Sequence, residues 1–169
     1  AIGVHHSRRF LSIAWGGEDG WSGRRLTSAL PMNGAAAVAI VDLNHDSWPD
    51  LAVLGAARWR IGQPPGRIVR VFRGSRRGFS AVGYTELGVE QAIELSAGDF
   101  DADGADDLVV LRGDGKVTVF WSEKDRQEVL VPAKGALCVT GGDADGDGRS
   151  DLVIGTSETT LYVVRSLGK

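Results

Sequence analysis

One nine-residue pattern occurs three times and limits what this chain can fold into. Residues 42–50, 99–107 and 143–151 read DLNHDSWPD, DFDADGADD and DADGDGRSD. They align without gaps, and each is followed by Leu and then a Val/Ile-rich run. The last two stay in step beyond the loop, so KVTVFW at 116–121 matches TLYVVR at 160–165 at the same offset of 44. The first two lie 57 residues apart at the acidic segment but 48 apart at the next run, RIVRVF, because nine extra residues sit within AARWRIGQPPGR. Self-similarity at such a period marks supersecondary units that bury their faces only on their neighbours.

The runs between the acidic segments read as strands. AVAIV at 37–41, DLAVLG at 50–55, DLVVL at 107–111 and DLVIG at 151–155 are short, branched and bounded by Gly, Asp and Ser. No window sustains an apolar stripe at helical spacing. The 24 glycines against 5 prolines suit many tight turns. The fold class expected is all-β, with four-stranded antiparallel sheets repeated as β-propeller blades. GWSGRRL at 20–26 and GFSAVGY at 78–84 are taken as the strands leading into the first two acidic loops. AIGVHHSRRFLSIAW aligns with DLVVLRGDGKVTVFW once a single insertion brings Trp15 level with Trp121.

The chain therefore divides into a partial unit at 1–33, full units at 34–88 and 89–134, and a last partial unit at 135–169. That makes one propeller segment, 1–169, of about 3.5 blades and around fourteen strands, where closed propellers hold about 4–8 blades. A partial propeller is expected, or one completed by self-association or by a partner chain.

Four carboxylates within nine residues repel one another, at roughly 4 kcal/mol per pair about 4 Å apart in an effective dielectric near 20. A cation relieves that repulsion, and oxygen donors at alternate positions suit Ca²⁺, which takes about 6–8 of them. The pattern D-x-D-x-D-G-x-x-D-L offers side chains at positions 1, 3, 5 and 9 and a carbonyl at 7. The expected ligands are Asp99, Asp101, Asp103 and Asp107 with the Ala105 carbonyl, then Asp143, Asp145, Asp147 and Asp151 with that of Arg149. In the first loop they are Asp42, Asn44, Asp46 and Asp50 with the Trp48 carbonyl. That loop is the poorer copy: Asn44 replaces a carboxylate, Ser47 replaces the turn glycine, and Pro49 stiffens position 8. Two calcium sites are thus expected, with a third, weaker one at 42–50. An EF-hand is excluded, because its position 12 needs a bidentate Glu and here holds Val110 or Ile154.

AGDFDADGADDLVV and GGDADGDGRSDLVIG closely resemble FG-GAP repeats, the VCBS-type blades of integrin alpha-subunit propellers and of many extracellular proteins. GFS and GWS stand near the FG signature and VLGA and VIGT near the GAP signature, while Val41 replaces the glycine usual before the first Asp. The resemblance implies a propeller with Ca²⁺ in the hairpin between the first two strands of a blade. It leaves the ligand open, since fold does not determine function.

No nucleophile–base motif, H-E-x-x-H or phosphate loop occurs, so no enzyme activity of its own is expected. His5 and His6 are adjacent and point to opposite faces of a strand. Of the 22 acidic residues 12 lie in the three loops, leaving ten against 19 Lys and Arg. Seven arginines and no acid fall between Asp50 and Glu86, and Arg58, Trp59 and Arg60 occupy the enlarged loop. An Arg–Trp–Arg segment is a candidate surface for a glycan or protein ligand, anionic by preference. Nucleic acid is not expected as a partner, and no apolar run is long enough to span a membrane. The single Cys138, in ALCV, is expected to be a small buried hydrophobe.

The expected function is a calcium-stabilised recognition or adhesion module, non-catalytic and extracellular. The alternative is a structural, non-catalytic propeller segment of a larger secreted enzyme or surface protein.

Overall fold

The computed structural model describes residues 10–18, 20–57, 66–122, 127–130, 134–158 and 160–165, with backbone alone at 20–29 and 127–130. Those residues form thirteen strands and no helix. The first sheet pairs β1 (Phe10–Gly17) with β2 (Gly20–Pro31). The second holds β3 (Asn33–Val41), β4 (Asp50–Ala56), β5 (Arg67–Phe72) and β6 (Thr85–Leu87). The third holds β7 (Ala92–Gly98), β8 (Asp107–Arg112), β9 (Val117–Phe120) and β10 (Gln127–Leu130). The fourth holds β11 (Ala136–Gly142), β12 (Asp151–Thr156) and β13 (Leu161–Val164). Every sheet is an antiparallel meander in chain order, as the blades of a propeller are.

The sheets stack in sequence through one apolar cluster per junction. Leu11, Ile13 and Leu30 of the first sheet meet Leu51, Val53 and Phe72 of the second. Ala52, Leu54, Val69 and Val71 of the second meet Ala92, Leu95, Leu108 and Val110 of the third. Val109, Leu111, Val117 and Val119 of the third meet Ala136, Val139, Leu152 and Ile154 of the fourth. Successive side chains of a strand point to opposite faces. In β4, Leu51 and Val53 therefore serve one junction while Ala52 and Leu54 serve the next. This explains why the second strand of a blade is an unbroken apolar run: both of its faces are covered. Among the described residues the first and last sheets make no comparable contact, and the propeller is not closed.

Two expectations are corrected. GFSAVGY at 78–84 is not a strand, and only Thr85–Leu87 pairs with β5. Gly78 and Gly83 adopt positive φ there (88° and 80°), and Phe79 turns aside to stack on Trp15 with ring centroids 5.8 Å apart. Cys138 is exposed, because it lies on the face of β11 that no further sheet covers among the described residues.

The junction between the third and fourth sheets needs glycine at one point. A Cβ on Gly141 would lie 2.7 Å from the Ala97 carbonyl oxygen and 2.7 Å from the Phe100 ring, whereas one on Gly142 would meet nothing within 4 Å. Gly141→Ala is expected to cost about 1–3 kcal/mol through forced separation of the sheets. Gly142→Ala should stay within about 0.5 kcal/mol. Urea denaturation of both variants checks the pair.

Candidate metal centres

Each acidic segment is the hairpin between the first two strands of a sheet, closed by the equivalent pairs Val41↔Asp50, Gly98↔Asp107 and Gly142↔Asp151. A common skeleton of backbone-to-carboxylate hydrogen bonds shapes them. The first carboxylate accepts the N–H groups of the fifth and sixth residues. Asp42 takes them from Asp46 (3.1 Å) and Ser47 (2.7 Å), and Asp99 from Asp103 (3.1 Å) and Gly104 (3.0 Å). Asp143 takes them from Asp147 (3.1 Å) and Gly148 (2.9 Å). The fifth carboxylate then accepts the N–H of the seventh residue: Asp46 from Trp48, Asp103 from Ala105 and Asp147 from Arg149, at 2.9, 3.0 and 2.9 Å. The N–H groups of Gly148, Gly146 and Asp147 hold the Asp143 carboxyl below its ordinary range.

This wrapping puts the fourth and sixth residues in the left-handed region. They are His45 and Ser47 (φ 55° and 67°), Ala102 and Gly104 (58° and 89°), and Gly146 and Gly148 (82° and 86°). Sequence reasoning identified the need for glycine at position 6 and missed it at position 4. Its signal was present, since only the third loop has glycine at both.

The ninth carboxylate plays a different part. Asp50, Asp107 and Asp151 are 0%, 0% and 2% exposed. Asp107 accepts the Phe100 N–H at 3.1 Å and the Ser122 N–H at 2.9 Å, joining its own hairpin to the residue two beyond β9. Asp151 accepts the Ala144 N–H at 3.1 Å in the same way as Asp107 accepts Phe100. Asp50 accepts the N–H of Gly74, two beyond β5, at 2.7 Å, and is paired with Arg73 at 2.5 Å. Burial pushes the Asp107 carboxyl up to about 6; the N–H groups of Ser122 and Phe100 pull the other way, and Asp101 and Asp103 add to the rise. In the cation-free chain this group therefore takes stability away as the pH rises from about 4 to about 6, because folding then favours the protonated form.

Adjacent loops also touch. The Ser150 N–H donates to the Asp99 carbonyl at 3.2 Å. The equivalent Asp106 carboxylate meets the Asp42 N–H, and partial burial followed by the Asp99 charge raises its pKa.

Oxygens of Asp99, Asp101 and Asp107 lie within 4.8 Å of one another, as do those of Asp143, Asp145 and Asp147. An all-oxygen set of this size fits a hard divalent cation. No such group forms in the first loop among the described residues. There the Asn44 amide donates to Asp46 at 2.9 Å, and the Arg73 guanidinium neutralises Asp50. The residue just after the third strand, which is Arg73 in the second sheet, is Trp121 in the third and Arg165 in the fourth. Arg165 reaches Asp145 at 3.4 Å from an exposed position. Sequence reasoning missed these arginines as charge partners of the loops.

Arg58, Trp59, Arg60, His5 and His6 lie outside the described residues. Of the remaining arginines in the basic stretch, several turn to structural work. Arg70 pairs with Glu86 at 2.8 Å, bonds the Pro31 carbonyl and lies 4.6 Å over the Tyr84 ring. Arg67 donates to the Ile93 carbonyl at 3.3 Å.

Antiparallel sheets in sequence, two of them four-stranded and three opening on the same acidic hairpin, define a repeat protein built of propeller-type blades. Residues 99–154, from the second acidic loop through most of β12, match the model of the FG-GAP-like repeat. No curated protein matches the chain.

Two predictions follow from the loop skeleton. Asp107→Ala strands two buried N–H groups and is expected to cost about 2–4 kcal/mol, at about 1–3 kcal/mol for each unsatisfied group. The exposed Glu90→Ala serves as the control, with a change below about 0.5 kcal/mol. Ser47→Gly relieves a left-handed serine and is expected to stabilise the chain by about 1 kcal/mol. Thermal unfolding in EDTA reads both without interference from metal.

Proposed function

We propose that this chain is a calcium-stabilised β-propeller segment that serves as a non-catalytic recognition module outside cells. The observation that carries the reading is the pair of three-carboxylate groups at equivalent hairpins, built on one skeleton and lying within the FG-GAP-like repeat. The Asp99–Asp101–Asp107 group is the tighter site, because the residue after its third strand is Trp121 and not an arginine. The Asp143–Asp145–Asp147 group comes second, since Arg165 competes for Asp145. The 42–50 loop is weakest, its charge being met by Arg73 and Asn44. A bound Ca²⁺ supplies positive charge at each hairpin, and the chain's own part is to hold the oxygens close and keep the hairpin against its sheet. Carboxylate loops with dissociation constants of about 10⁻⁴–10⁻³ M match extracellular calcium, which supports an extracellular location.

Recognition rests on the enlarged loop between β4 and β5. Its stem is closed by the Ala57 N–H on the Gly66 carbonyl at 2.8 Å, and the sequence it encloses includes Arg58, Trp59 and Arg60. A sulfated or uronic-acid glycan, or an acidic protein surface, suits that composition. A second reading, a structural segment of a larger secreted or surface protein, is favoured by the uncovered face of the fourth sheet.

Adding 10 mM CaCl₂ after EDTA treatment is expected to raise the melting temperature by about 5–10 °C, since a site filled at about 100 times its dissociation constant adds about 2.7 kcal/mol. Asp101→Asn should remove the larger part of the shift, and an unchanged melting point with the metal would overturn the calcium assignment. Retention on a sulfated glycan column, lost in Trp59→Ala, tests recognition separately.

A further inference from the structure

The fourth sheet carries an uncovered face whose equivalents in the second and third sheets are interfaces. Strand register defines it: Cys138↔Gly155↔Leu161 and Thr140↔Val153↔Val163 run across β11, β12 and β13 on one side. The repeat offset of 44 maps Val153, Gly155, Leu161 and Val163 onto Val109, Leu111, Val117 and Val119. Those four are 0–1% exposed and form the third sheet's side of its junction with the fourth. One sheet earlier, Ala52, Leu54, Val69 and Val71 hold the same positions, are 0% exposed, and face the third sheet. In the first sheet the same third-strand positions are Leu11 and Ile13, each 1% exposed against the second sheet. Only in the fourth sheet does the pattern stay open, with Leu161 at 63% and Val163 at 47%.

We propose that this face is a docking surface for a further blade of the same repeat type. The occupant follows from the internal junctions. Where the second sheet meets the third and the third meets the fourth, the apolar third-strand pair is covered by the first two strands of the next sheet, which present small or branched residues such as Ala92, Leu95, Leu108 and Val110. A matching partner is a four-stranded blade carrying that face. A second copy of this chain is a poor match. The equivalent faces of its second, third and fourth sheets are already buried, and its first sheet shows only β1 and β2 among the described residues. The proposal rests on register and burial and is independent of calcium.

Cys138, the single cysteine, lies on this face and reports on it directly. Extending the full chain with a second copy of residues 126–169 after Lys169 continues the repeat in phase, since 169 corresponds to 125 at the offset of 44. The appended copy carries Cys138→Ser, so that one thiol remains. With Ellman's reagent the original chain is expected to react at the rate of an exposed thiol, and the extended chain on the order of tenfold more slowly. Leu161→Asp should return the extended chain to fast labelling while leaving the melting point of the original chain unchanged. Equal labelling of the two chains would overturn the proposal, as would proteolytic trimming of the appended segment back to the original chain. Slow labelling that survives Leu161→Asp would overturn it too. So would a concentration-dependent dimer of the original chain that protects Cys138, which would make a second copy the occupant.

Discussion

A buried carboxylate at the start of the second strand in the second, third and fourth sheets holds the acidic hairpins to their sheets. Asp50, Asp107 and Asp151 sit at the point where a loop full of negative charge meets a strand covered on both faces. A carboxylate in that position needs donors, because an unpaired buried charge is far more costly than an unpaired neutral group. The chain supplies backbone N–H groups from the loop and from the end of the third strand. Asp107 both fixes its hairpin and ties the second strand to the segment beyond the third; Asp151 bonds its own loop, and Asp50 the segment beyond β5. Junction packing places the sheets relative to one another, and this carboxylate places the loops relative to the sheets.

The three hairpins share a skeleton but differ in strain and in charge. Wrapping the first carboxylate over two backbone N–H groups requires two left-handed residues, and the third loop meets the need with two glycines, the second with one and the first with none. Charge runs in a separate order. The first loop draws on Arg73 and on the Asn44 amide, the third on Arg165, and the second has an indole at the equivalent place. A loop under greater backbone strain is thus also the one whose charge the chain compensates from within. The internal charge compensation lets the first loop keep its shape with least help from solvent ions, while its left-handed His45 and Ser47 work against it.

Much of this was legible in the residues. The nine-residue register identified the hairpins, the apolar run after it marked the second strands, and the offset of 44 aligned the third strands of the last two sheets. These signals are strong because each is tied to burial on two faces or to a closely spaced set of carboxylates. The fourth strands were harder to read. β6 is three residues long and follows a glycine-rich loop whose Phe79 packs on Trp15, so its apolar content advertises a contact and not a strand. Cys138 misled for a related reason: ALCV has the composition of a core strand, but burial depends on whether a neighbour is present, and no property of four residues encodes that. The arginines misled in the opposite sense. Seven without an acid between Asp50 and Glu86 look like a surface patch, yet Arg70 and Arg73 find Glu86 and Asp50 at the two limits of that stretch.

That pairing bears on what a divalent ion can add at each hairpin. A guanidinium beside a buried carboxylate and a metal ion beside the same carboxylate are alternative solutions to one electrostatic problem, and a site that already contains the first gains less from the second. The Asp107 carboxyl, pushed up to about 6 by burial with Asp101 and Asp103 adding to the rise, is where the problem stands least resolved in the chain by itself. Asp143, held below the ordinary range by backbone N–H groups, sits at the other limit. The number of carboxylates in a hairpin is therefore a poor guide to its need for a cation. Four in the third loop are better compensated than the five in the second, because the third wraps its leading carboxylate with two glycines and reaches an arginine from the strand end. What ranks the hairpins is the charge left over after the protein's own donors are satisfied, and by that measure the second one governs.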